Sequence, residues 1–176
     1  MQHAHSYPLP SIEIATRAAD YFTRLYYAAY DSDTRVVDLP KFYRESSSLL
    51  WNGKPIQGLD DLQRFIQNMP PTKHELQSFD CQPVPGLSFS SRKETSPNPS
   101  PRPGTSPPSL VIVVSGNVTH GRGPSGNPPN TPAKTVEGHL RVFSQTFMLV
   151  PDTSATIKPG EIAKYYISAD SLRFVG

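Results

Sequence analysis

Cysteine occurs once, at Cys81, so no disulfide can close within the chain and a disulfide-stapled scaffold is excluded. Long apolar runs are also missing. No segment approaches the roughly 18 residues that suggest a membrane-spanning helix, and the opening MQHAHSYPLP lacks the apolar centre of a signal peptide. The expectation is a soluble intracellular chain with no membrane insertion. An excess of one charge sign is absent too, since 17 Lys and Arg stand against 15 Asp and Glu for a net charge of +2. A domain that binds nucleic acid through its folded surface concentrates positive charge there. Here Arg92, Lys93, Arg102, Arg122 and Lys134, against Glu94 and Glu137, put a net +3 into two Pro-rich stretches and leave the remainder near −1. RNA contact is therefore expected only through these basic loops, weak and salt-sensitive.

Recognisable chemistry is equally sparse. There is no phosphate loop, no nucleophile elbow and no metal-ligand spacing, because His3 and His5 form only an isolated HxH pair. The candidate titratable groups are Tyr26, Tyr27, Tyr30, His74, Asp80, His120, His139 and Asp170, and no pair among them has a spacing that fixes acid–base chemistry. No catalytic residue, metal or cofactor is assigned, and Cys81 is read as a small packed apolar group.

Proline, by contrast, is abundant at 20 of 176 residues. Residues 85–109 hold seven prolines and residues 121–138 hold four, a density that buries too little apolar area to offset the entropy of ordering. Both read as long loops of one domain spanning 11–176, behind a flexible tail at 1–10. Between them lies the patterned sequence. Ile14, Ala18, Phe22, Leu25 and Ala29 recur at helical steps and predict a helix over about 12–30, with Tyr21, Tyr26, Tyr27 and Tyr30 broadening its apolar surface. Val36 to Tyr43 reads as short helical turns around Pro40, and Ser47 to Trp51 as a strand. Asn52-Gly53 then predicts a tight hairpin, since both positions tolerate positive φ. Leu62, Phe65, Ile66 and Met69 mark a second helix, stopped by Pro70-Pro71.

Four strands follow, over 74–84, around 110–114, 139–150 and 164–175. His139 to Val150 alternates aromatics at odd positions with aliphatics at even ones, so both faces of the sheet need cover. Helices followed by consecutive strands imply an α+β domain, a curved antiparallel sheet with helices packed on one face. The other face then needs a second protein.

FYRESSSLLWNGKPIQG, FDCQPV, RVFSQTFML and YYISADSLRF, in that order between about Ala15 and Phe174, resemble the nuclear transport factor 2-related export proteins. More narrowly, they resemble the small subunit of the heterodimeric mRNA export receptor. The resemblance implies a nuclear transport factor 2-like cone whose sheet packs against the homologous domain of a TAP-type large subunit. The pair carries ribonucleoprotein through nuclear pores by contact with phenylalanine-glycine repeats, shuttling between nucleus and cytoplasm. It further implies that Arg173, before Phe174, meets an acidic residue of that partner. Phe143, Gln145 and Phe147 are placed around the arginine, with Asp170 as a polar neighbour. A homodimeric Ran-GDP importer and a small-molecule dehydratase or isomerase of the same cone are the competing readings.

Overall fold

The computed structural model describes residues 9–84, 107–121, 138–152 and 164–175. Helix α1 (Leu9–Tyr30) is followed by a short helix α2 (Arg35–Asp38), a 3-10 turn (Leu39–Phe42) and strand β1 (Tyr43–Trp51). Then come β2 (Lys54–Gln57), α3 (Gly58–Gln67), β3 (Thr72–Val84), β4 (Ser109–His120), β5 (Leu140–Pro151) and β6 (Tyr165–Val175). The first helix begins three residues earlier than its apolar spacing suggests, and so includes Leu9 and Pro10. Of the Pro-rich stretches only the ends, 107–109, 121 and 138, lie within the described residues, and Ser109 already belongs to β4.

The strand order is β2-β1-β6-β5-β4-β3. From β3 to β6 the sheet is an antiparallel meander, as consecutive strands without intervening helices require. The expectation of a wholly antiparallel sheet is corrected at one seam, because β1 runs parallel to β6. The reason is chain length. The connection from β1 to β6 passes through β2, α3 and the whole meander, so the long crossover that parallel pairing demands is supplied by most of the domain.

The hairpin turn is as its dipeptide predicts, with Asn52 at φ 48° and Gly53 at φ 84°. It also locks onto the last strand: the Asn52 amide donates to Leu172 O at 2.7 Å, and Phe174 N donates to Asn52 Oδ1 at 3.3 Å. One face of α1, carrying Ala15, Ala18, Ala19, Phe22, Tyr26 and Tyr27, packs onto Ile112, Val114, Phe143, Phe147, Leu149 and Ile167 of the sheet. Leu62 and Ile66 of α3 close the same core beside Leu49 and Ile56.

Register in β3 shifts at a bulge between Leu76 and Ser78, opposite Gly116 of β4. A β-carbon at Gly116 would lie 2.3 Å from Glu75 O and 3.1 Å from Leu76 Cα. Both are backbone atoms, so the strand itself would have to move. Gly116→Ala is expected to destabilise the domain by about 2 kcal/mol through this overpacking; a urea midpoint equal to that of the parent chain would contradict the close approach.

Candidate functional site

Two surfaces of the sheet have opposite characters, and strand parity decides which residue belongs to which. On the helix side, Phe143 and Phe147 are fully buried, and Gln145 and Asp170 nearly so. The Phe147 ring lies 4.8 Å from Tyr26 and 5.2 Å from Phe22, and Phe143 lies 5.8 Å from Tyr27. This corrects the placement of Phe143, Gln145, Phe147 and Asp170 around Arg173. Arg173 pairs with Ser144, so it shares a face with the even-numbered residues of β5, while the large aromatics fill the interior under α1. Asp170 stands three residues from Arg173, and its side chain turns inward.

The buried carboxylate organises a polar network inside an otherwise apolar core. Tyr43 Oη donates to Asp170 Oδ2 at 2.8 Å, Gln145 Nε2 donates to Oδ1 at 2.8 Å, and Tyr26 Oη lies 2.8 Å from Tyr43 Oη. Tyr27 Oη completes the chain by donating to Gln145 Oε1 at 2.7 Å. Burial pushes the Asp170 carboxyl up to about 6 even though Gln145, Tyr43 and Tyr26 hydrogen-bond to its charged form. Burial, followed by the Asp170 charge, raises Tyr26, Tyr27, Tyr30 and Tyr43 above the ordinary phenol range. A protonation-sensitive carboxylate beside tyrosines is an arrangement that could perform acid–base chemistry. The space against it measures only about 20 Å³, room for one water and for no organic substrate. The network acts as a satisfied polar brace between α1, β1, β5 and β6.

A second brace holds the end of α1. Asp31 Oδ1 lies 2.6 Å from His74 Nδ1 and accepts from Thr72 Oγ1 at 2.8 Å, while Oδ2 accepts from His74 N at 2.8 Å. Burial acts to raise the Asp31 carboxyl, but the bond and charge of His74 outweigh it and hold the group below its usual range. Asp80 and His139 are exposed on the surface. Burial pushes Cys81 up to about 11, and its thiol packs against Ala15 O at 3.6 Å, consistent with an inert packed group.

The opposite face of β3–β6 is covered by no helix among the described residues. In register across it lie Asp80, Val113, Thr146 and Ser171, then Ser78, Ser115, Ser144 and Arg173, then Glu75, Asn117, Val142 and Val175. Val113, Leu140, Val142 and Val175 are exposed by 40–62%, aliphatic side chains set among serines, threonine and charged groups, the mixed composition of a non-obligate protein interface. Arg173 is exposed among them. Phe174 points the other way, into the open end of the sheet, where its ring meets Trp51 at 5.4 Å and His120 at 5.7 Å. Sequence reasoning identified an uncovered face and placed Arg173 on it but missed the β5 residues beside it, because the even positions of β5 look less like an interface than the aromatic odd ones.

Residues 18–125 match the nuclear transport factor 2 (NTF2) domain. The chain is similar to NTF2-related export protein 2 of Homo sapiens, at 36% identity over 73 residues, 42% of this chain and 50% of that one. The matched stretch thus spans half the length of the human relative. It is also 36% identical over 107 residues to NTF2-related export protein 1 of Schizosaccharomyces pombe, covering 61% of this chain and 74% of the relative. Among solved structures, its fold matches the Chaetomium thermophilum Mex67 NTF2-like domain complexed with Mtr2 with a TM-score of 0.61. That match has 17% identity and covers 92% of this chain and 99% of the other.

Proposed function

Since this chain belongs to the NTF2 domain family, we propose that it is a non-catalytic small subunit that pairs, sheet to sheet, with the NTF2-like domain of a large RNA export factor. The observation that carries this reading is the aliphatic face around Val113, Val142 and Val175, exposed with Arg173 in its midst. A related export role in fission yeast and human relatives, carried in their names, and a solved pair of this fold support it. Stable interfaces bury on the order of 800 Å² per partner, which a four-strand face can provide. The pair would support mRNA export, meeting phenylalanine-glycine repeats at nuclear pores and shuttling between nucleus and cytoplasm. Direct RNA contact would be left to the basic Pro-rich segments.

Within that face Arg173 sets specificity. A guanidinium forked onto a partner carboxylate discriminates between partners more than it adds affinity, and Phe174 anchors the strand end from the inside. Co-expression with the NTF2-like domain of the large export factor from the same organism is expected to give a one-to-one complex in size-exclusion chromatography. Arg173→Glu is expected to weaken that complex by about tenfold with an unchanged unfolding midpoint. Recovery of a stable self-dimer that binds Ran-GDP, and of no mixed complex, would instead establish the importer reading. Tight, stoichiometric binding of a small organic substrate would revive the enzyme.

A further inference from the structure

The open face of β3–β6 is charged at two of its sides, and a β-bulge puts the second charge there. Before the bulge, β3 turns Thr72 and His74 inward and leaves Lys73 and Glu75 exposed. After it, Phe79 and Cys81 pack against the core, while Ser78, Asp80 and Gln82 are exposed. An unbroken strand would keep its odd-numbered residues outward, exposing Phe79 and burying Asp80. The residue inserted between Leu76 and Ser78 reverses that parity. Gly116 admits the bulged backbone, since a β-carbon there would meet Glu75 O at 2.3 Å. One irregularity thus buries an aromatic ring and delivers a carboxylate to the uncovered face.

Asp80 and Arg173 stand on opposite sides of this face, because β3 is the outer strand and β4 and β5 separate it from β6. At the usual strand spacing that is about 14 Å. Val113, Thr146 and Ser171 fill the row from Asp80, and Ser115 and Ser144 lie in the row that ends at Arg173, so no charge intervenes. Lys73 and Glu75, two positions apart on the same side of β3, offset one another. Asp80 and Arg173 are exposed and enter no ion pair among the described residues. Their separation exceeds the Debye length of about 8 Å in physiological salt, so neither neutralises the other. Gln82, two positions from Asp80 on the same side, adds an amide oxygen as a second acceptor. A guanidinium presents a planar fork of donors where an ammonium is a point charge, so an arginine suits this pair of acceptors best.

We propose that Asp80 is the second contact of a two-point charge code, receiving an arginine of the large subunit's NTF2-like domain while Arg173 receives a carboxylate. This contact rests on the sheet-to-sheet pairing proposed above and gives it an orientation. Two opposite charges set far apart define a direction across the face, and a partner turned end for end would bring like charges together. The partner that fits carries an acidic and a basic side chain at the same separation and in the complementary order.

Calorimetry of the full chain with the NTF2-like domain of the large export factor from the same organism tests the assignment. Asp80→Asn, which keeps the side chain's size, is expected to raise the Kd about threefold, and Asp80→Arg about tenfold or more. Both should keep the circular dichroism of the parent chain. Asp33→Arg, in the exposed turn between α1 and α2, should leave the Kd unchanged. Basic residues on the partner's sheet face are then reversed to glutamate one at a time. One reversal should weaken binding to the parent chain, restore it to Asp80→Arg and fail to restore it to Arg173→Glu. A structural role for Asp80 would not be repaired by a change in the partner. The proposal is overturned if Asp80→Arg binds as tightly as the parent chain, or if no partner reversal rescues it; Arg173→Glu still weakening the complex would then leave the sheet-to-sheet pairing standing. A self-dimer broken by Asp80→Arg, with no mixed complex, would give Asp80 to a second copy of this chain and overturn both.

Discussion

Val142→Asp is expected to abolish recovery of the mixed complex while leaving the isolated chain folded. Val142 lies on the open face on an inner strand, between Asn117 of β4 and Val175 at the end of β6, and is 48% exposed in the free chain. An aspartate there stays hydrated in the monomer, so its cost to folding is limited to a lower strand preference, under about 1 kcal/mol. Pressed against a partner sheet, the same carboxylate loses water and competes with the partner's carboxylate for Arg173, its diagonal neighbour on β6, so its cost weighs on the complex alone. About 3 kcal/mol, near a hundredfold in Kd, is the scale expected for a carboxylate desolvated at an interface. Val37→Asp is the matched control, being exposed on α2 away from the sheet; it should leave pairing intact. Undiminished binding by Val142→Asp, measured by calorimetry or co-purification, would remove the sheet face from the interface.

How far the sequence specifies this face can be judged from particular residues. The local elements were legible because each depends on neighbours close in the chain. Asn52-Gly53 forces a turn by its own backbone preference, and Leu62, Phe65, Ile66 and Met69 share one side of a helix by spacing alone. The parallel seam between β1 and β6 was not legible, since it joins residues more than a hundred positions apart and no short-range pattern encodes it. The parity of β5 was legible in principle. Tyr26, Tyr27 and Tyr30 on the apolar stripe of α1 carry hydroxyls that need partners when buried. Asp170 and Gln145 are the polar strand residues that meet Tyr26 and Tyr27, while Tyr30 donates to Met69 Sδ. Gln145 has the same parity as Phe143 and Phe147, so a polar residue among those aromatics points to the tyrosine-bearing interior and not to a partner. The cluster at the open end of the sheet was beyond reach, because Trp51, Phe65, Arg141 and Phe174 come from four separate elements.

The same network predicts an unusual pH dependence of stability. Asp170 is raised from 3.8 to about 6 by burial, so the folded state holds its proton more tightly than the unfolded state does. This group therefore favours folding most strongly below the unfolded value. Its contribution is lost as pH climbs through the window from 3.8 to about 6, where the folded protein comes to hold a buried charge. The whole window corresponds to about 3 kcal/mol. Asp170→Asn removes the titration while retaining an oxygen for Tyr43 and a planar amide that a flipped Gln145 can meet. Its stability relative to the parent is expected to improve steadily from pH 4 to pH 7. Asp170→Ala differs in kind. It leaves the Tyr43 hydroxyl and the Gln145 amide without their acceptor in a dry core, where each unsatisfied donor costs about 1–3 kcal/mol, and it is expected to be strongly destabilised at every pH. Urea unfolding of the three chains at pH 4.5 and 7.5 separates these effects. A constant difference between Asp170→Asn and the parent chain at both pH values would show that Asp170 does not titrate in the folded protein within this window.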